Sequence, residues 1–183
     1  MPLPARLVVA LLIAASGAAH GARTDVDFRW TIDFVAFAAS ALGLQPAGTI
    51  AGTATFDDTM VDPVARTVTV PGDAPPGGPS FRVEAGNLVF EQSDDQLGGP
   101  MITLDAAGRV AGVEFLPGPI ALAGGDYLLS FSGSQFLLTP SGSLADILAA
   151  GQLQPIPGPS EWLFASLGFA AIGAIAARRA RRR

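Results

Sequence analysis

Along the first third of the chain, apolar and polar residues alternate with period two. Val26, Phe28, Trp30, Ile32 and Phe34 are separated by Asp27, Arg29, Thr31 and Asp33, the pattern of a long strand with one face buried. Gly48–Phe56 alternates again, with Thr49, Thr53 and Thr55 on its second face. In Val64–Val70 the same period puts Val64, Val68 and Val70 on one side. The Pro/Gly-rich stretch Pro71–Pro79 then interrupts any regular element. Short strands are expected at Phe81–Glu84, Asn87–Glu91, Met101–Asp105, Val110–Leu116, Tyr127–Ser132 and Gln135–Thr139, each bounded by Gly, Pro, Asp or Asn. Together these segments predict an all-β domain over residues 23–154, an antiparallel β-sandwich of about eight to nine strands. Ser143 and Asp146 are spaced like a capping box, and Gly151 suits a C′ position, so one short helix is expected between them.

Two segments break the alternation. Leu7–Ala15 is a run of nine uncharged residues behind a short segment with a single arginine, followed by Ser16-Gly17-Ala18-Ala19. It is too short to span a bilayer and reads as the apolar region of a secretory signal peptide within residues 1–22, helical and removed on export. Cleavage after Ala19 places Gly17 and Ala19 at the small-residue positions −3 and −1; the alternative, after Ala22, places His20 at −3.

The second segment ends the chain, at residues 155–183. Pro155, Pro157 and Pro159 cannot donate backbone hydrogen bonds and keep the residues before them extended. Ser160 follows as a helix N-cap, and Glu161 lies where the helix dipole favours an anion. From Trp162 to Ala177 there are sixteen residues without a charge. As a single transmembrane helix over about 161–177, this run is about 24 Å long against a bilayer core of about 30 Å. Trp162 at one interface and snorkelling arginines at the other bridge the difference. Gly168, Ala171 and Gly173 leave a small-residue face for another helix. Arg178, Arg179, Arg181, Arg182 and Arg183 directly follow the apolar run, which orients the C-terminus to the cytoplasm and the domain to the far side of the membrane.

Pro157-Gly158-Pro159-Ser160-Glu161-Trp162, then the apolar run, then the arginines, resembles the PEP-CTERM sorting signal of exopolysaccharide-producing Gram-negative bacteria. The family's signal begins Pro-Glu-Pro; here Gly158 stands where Glu is usual. The resemblance rests on Pro157, Pro159, Trp162 and the arginine cluster Arg178–Arg183. It implies a substrate of an exosortase-type transpeptidase, anchored on the periplasmic side of the inner membrane and processed to the cell surface or extracellular matrix. It also implies an association with exopolysaccharide. If sorting needs the missing carboxylate, the protein stays tail-anchored. The stretch Gly48–Asp58 also resembles, loosely, strand openings in the extracellular domains of such proteins.

Charge and residue inventory narrow the chemistry. Between the two terminal segments lie fifteen Asp or Glu and five Arg (Arg23, Arg29, Arg66, Arg82, Arg109), a net charge of about −10, which disfavours nucleic acids and anionic polymers as partners. With no cysteine there is no disulfide, so stability must come from packing. The only histidine is His20, and lysine is absent. A Ser-His-Asp triad, a Cys-His pair, a lysine nucleophile and an ordinary zinc site are therefore out of reach, and the domain is expected to be non-enzymatic and to hold no cofactor. Asp57/Asp58 and Asp94/Asp95 are the carboxylate pairs. A glycosidase needs two carboxylates about 5–10 Å apart across one cleft, whereas neighbours on a strand face opposite ways. Their contexts suit turn-capping, with Ca²⁺ binding as a weaker alternative lacking a spaced ligand loop. Trp30 belongs to the apolar face of the first strand and is expected in the core, and Tyr127 alone makes no sugar platform. The leading expectation is an exported surface or matrix protein. The alternative is a carbohydrate- or Ca²⁺-binding sandwich held as a tail-anchored inner-membrane protein.

Overall fold

The computed structural model describes residues 21–122, 125–143, 145–154 and 156. The expected signal peptide up to residue 20 and the expected transmembrane helix lie outside the described residues. Among the described residues there is no α-helix, and no helix is long and apolar enough to cross a membrane.

Among the described residues, eleven strands follow in order: β1 Arg23–Val35, β2 Thr49–Asp57, β3 Thr67–Thr69, β4 Ser80–Ala85, β5 Leu88–Glu91, β6 Met101–Leu104, β7 Val110–Glu114, β8 Ile120–Leu122, β9 Gly125–Ser132, β10 Gln135–Pro140 and β11 Ala149–Gln154. Eight form one sheet in the order β5-β4-β2-β1-β11-β10-β9-β8, and three form a small sheet, β3-β6-β7. Every pairing between these strands is antiparallel. The all-β, antiparallel expectation holds, but the layers are unequal: a curled eight-stranded sheet faces a small one. The small sheet is tied to the large one by backbone bonds. Val113 N–H donates to the Gly133 carbonyl at 2.8 Å, and Phe115 and Phe131 exchange bonds of 3.0 and 2.9 Å.

The alternation of β1 and β2 explains the core between the sheets. Phe28, Trp30 and Ile32 of β1 and Ile50, Ala54 and Phe56 of β2 are buried. Five rings form a closed circuit of contacts: Trp30–Phe28 at 5.3 Å between centroids, Phe28–Phe81 at 5.7 Å, Phe81–Phe115 at 4.9 Å, Phe115–Phe131 at 5.8 Å and Phe131–Trp30 at 4.6 Å. Each such pair adds about 0.5–1.5 kcal/mol beyond its area burial. Gly52 of β2 makes room for this packing: a Cβ there would come within 2.1 Å of Phe28 Cε2.

Three expectations are corrected. The short helix between Ser143 and Gly151 is absent. Ser143 Oγ does donate to Asp146 Oδ2 at 2.9 Å, but Ala149–Gln154 is β11, paired with β1 on one side and β10 on the other. Two ladders of backbone bonds outweigh the propensity of a helix of about two turns, which is marginal by itself. Val64 does not share the buried face of Val68 and Val70. It is 92% exposed, because Asp62 Oδ1 accepts from the N–H groups of Val64 and Ala65 at 2.8 and 2.7 Å, and Arg66 takes a positive φ of 54°. That turn shortens β3 to Thr67–Thr69. Phe34 is likewise not in the core. The β1–β11 register shifts between Ile32 and Phe34, and this β-bulge turns Phe34 to the outer face, 49% exposed.

Candidate functional site

The paired carboxylates were the residues with chemistry to offer; three of them hold local turns and the fourth, Asp58, reaches across to β1. Asp57 Oδ1 accepts from the backbone N–H and hydroxyl of Thr59 at 2.8 and 2.6 Å. Asp58 accepts from the Thr24 hydroxyl. Asp94 Oδ2 accepts from Glu91 N–H at 2.8 Å and closes a capping box. Asp95 reaches furthest: Oδ1 accepts from Leu116 N–H at 2.8 Å and Oδ2 from Gly99 N–H at 2.9 Å, tying the loop after β5 to the chain leaving β7. Asx-type side chains suit such roles because their oxygens imitate a backbone carbonyl. Among the described residues, no group of three or more His, Asp or Glu is placed to hold a metal ion.

Two turn carboxylates, Asp62 and Asp105, are shifted by the hydrogen bonds they accept. Asp62 lies below its ordinary value of 3.8, held there first by the Ala65 N–H and then by the Val64 N–H. Asp105 lies below the same value: Arg109 N–H donates to Oδ1 at 2.9 Å, and Arg109 Nε to Oδ2 at 2.8 Å. Hydrogen bonds to the ionised form favour it, so both groups bind protons less readily folded than unfolded. Depressed carboxylates contribute stability that is present above their unfolded value and lost as pH falls through the folded one. The urea midpoint is therefore expected to hold steady down to about pH 4 and to drop below it. Asp105→Asn, which keeps an acceptor for the turn but no charge, should flatten part of that drop; an unchanged pH profile would show that Asp105 is not among the groups responsible.

A shallow open cleft of about 200 Å³ is lined by Arg23, Thr55, Phe56, Asp57, Gly77, Gly78 and Pro79. It is smaller than the roughly 300–1,000 Å³ of usual small-molecule sites. Asp57, the one carboxylate of that lining among the described residues, already accepts from Thr59, and Asp25, outside the lining, is held by the Thr55 hydroxyl at 2.6 Å and Arg23 Nε at 3.6 Å. Trp30 is fully buried, as expected, and Tyr127 packs half-buried against the core. The residues of the expected sorting signal, Pro157, Gly158, Pro159, Trp162, Arg178, Arg179, Arg181, Arg182 and Arg183, lie outside the described residues.

What the linear pattern could not display is the outer face of the large sheet. Thr49 pairs with Thr31, Thr31 with Gln152, Gln152 with Gln135 and Gln135 with Ser132. These are one outward residue from each of β2, β1, β11, β10 and β9, exposed except for half-buried Thr31. Beside this row runs another in which Phe34 pairs with Ala150, Ala150 with Leu137 and Leu137 with Ser130. Register, which no local motif encodes, brings these residues together. No protein-family model, no curated protein and no solved structure matches this chain.

Proposed function

We propose that this chain is an exported, non-enzymatic cell-surface or extracellular-matrix protein, carried by a β-sandwich-like domain and delivered through a PEP-CTERM-like tail, with exopolysaccharide as its surroundings. The observation that carries the reading is the fixed order at the C-terminus: Pro157-Gly158-Pro159, Trp162, an uncharged run to Ala177 and five terminal arginines. The signal-peptide pattern at the other end supports it independently, since two unrelated segments agree on export. A structural role is supported by how the domain's paired carboxylates are used: Asp57, Asp94 and Asp95 hold backbone N–H groups, and Asp58 holds Thr24 of β1. The partners in this reading are the membrane, an exosortase-type transpeptidase and exopolysaccharide. The second reading, a carbohydrate-binding module kept as a tail anchor, is favoured by the exposed polar row on the outer sheet face.

Intact mass of the protein from membrane and medium fractions of the native host tests the proposal. A form lacking the segment after about Pro159 is expected, which would make the tail a processed signal despite Gly158. Retention through Arg183 in the membrane would replace sorting with simple anchoring, and retention of residues 1–19 would remove signal-peptide cleavage. A start at His20 is expected at the other end, because it keeps the Ala22 carbonyl that accepts Asp58 N–H at 3.0 Å.

A further inference from the structure

The bulge in β1 has an outcome that core packing does not require. It takes an aromatic side chain from the apolar alternation of β1 and leaves it half-exposed near the end of that strand, beside β11. Bulges re-aim side chains and recur beside binding sites, and this one sets a half-exposed ring at the border between the row of Ala150 and Leu137 and a polar row. Phe34 does not stand alone. The next row carries Thr49, Thr31, Gln152, Gln135 and Ser132, five uncharged side chains that both donate and accept hydrogen bonds. At the usual strand spacing of about 4.8 Å, the row spans about 19 Å.

We infer that this face binds an extended, uncharged polysaccharide lying across the strands, with sugar C–H faces against Phe34 and hydroxyls against the Thr, Gln and Ser row. Charge selects this occupant. The row holds no ionised group; the charges around it are of both signs, with Asp33 beside Phe34, Arg29 and Glu84 in the adjoining row, and Glu114 accepting from Gly133 N–H next to Ser132. The domain as a whole is strongly acidic, which repels anionic polymers and leaves a neutral, hydroxyl-rich one as the complementary ligand. Hydroxyls and primary amides match such a ligand because each can donate to or accept from a sugar hydroxyl without the desolvation cost of a charge. The inference deepens the exopolysaccharide part of the proposed function and rests on it, naming the surface and the class of polymer.

The test is affinity electrophoresis of the full-length protein in a polyoxyethylene detergent, through gels containing dextran, a galactomannan or a mixed-linkage β-glucan, with alginate as the anionic control. Retardation by at least one neutral polymer and none by alginate is expected. Phe34→Ser, and separately Gln135→Ala with Gln152→Ala, should each weaken it by about tenfold, the size of one lost favourable contact. All of these positions are on the surface, so the urea midpoint should not move, and a variant that fails to fold is recognised by that measurement. The inference is overturned if no neutral polymer retards the protein, if the variants are retarded equally, or if alginate alone retards it. It is equally overturned if sedimentation reveals a dimer that Phe34→Ser dissolves, since the face would then belong to a second copy. The assay uses purified protein, so its failure is distinct from failure of the export reading, which the masses in the host decide.

Discussion

Gly151→Ala is expected to destroy the cooperative unfolding transition of the domain. Gly151 sits in the middle of β11, opposite Ile32 on one side and Phe136 on the other. A Cβ at this position would lie 2.0 Å from the Thr31 carbonyl oxygen and 2.4 Å from Phe136 Cε1. The first neighbour is backbone and the second is a fully buried ring, so neither can step aside as an exposed side chain would. Overpacking a core costs about 1–3 kcal/mol where side chains can adjust. Here a strand paired on both sides must move, so the loss should exceed that range and consume much of a total stability of about 5–15 kcal/mol. Urea denaturation followed by tryptophan fluorescence measures it. A two-state transition within about 1 kcal/mol of the parent would mean that β11 can shift without breaking its two ladders.

The second large effect belongs to Trp30. Trp30→Ala should cost about 3–5 kcal/mol, because the indole touches both Phe28 and Phe131 and its removal opens the circuit of rings on two sides. Trp30→Phe should cost distinctly less. Trp30 Nε1 is buried with no hydrogen-bond partner among the described residues, and a buried unsatisfied donor costs about 1–3 kcal/mol. Phenylalanine removes that donor while keeping a ring against Phe28 and Phe131, so part of the lost packing is offset. Chemical denaturation read by far-ultraviolet circular dichroism compares the two. Equal losses would show that a phenyl ring at this position recovers none of the packing that the indole makes with Phe28 and Phe131.

Strands that bury one face and wet the other were legible because burial writes period two into the residues themselves, as in β1 and β2. β11 was not. Ala149-Ala150-Gly151-Gln152-Leu153-Gln154 carries small residues where two neighbours press close, and small residues between a Ser and a Gly imitate a helix with caps. The three-residue β8 is too short to show any period. Val64 was misplaced because the turn made by Asp62 leaves the valine spacing intact, and Phe34 because a bulge changes the facing of a residue without changing the alternation around it. The carboxylate pairs were legible as turn caps, since Asx turns are local. The outer-face row was not, because cross-strand neighbours come from residues as far apart as Thr31 and Gln152, and their meeting depends on register set elsewhere.

The position of β11 also sets an order of events. An exported chain that emerges N-terminus first presents β1 early and β11 last among the described strands, yet β11 is the strand that joins β5-β4-β2-β1 to β10-β9-β8. Until Gln154 is available, the chain holds two open half-sheets, each with an unsatisfied inner edge, and contacts of long sequence separation make their joining slow. Maturation is thus a closing of a zip at the final tooth, and a nascent chain stalled before Ala149 would be a sticky, protease-sensitive species rather than a smaller stable domain.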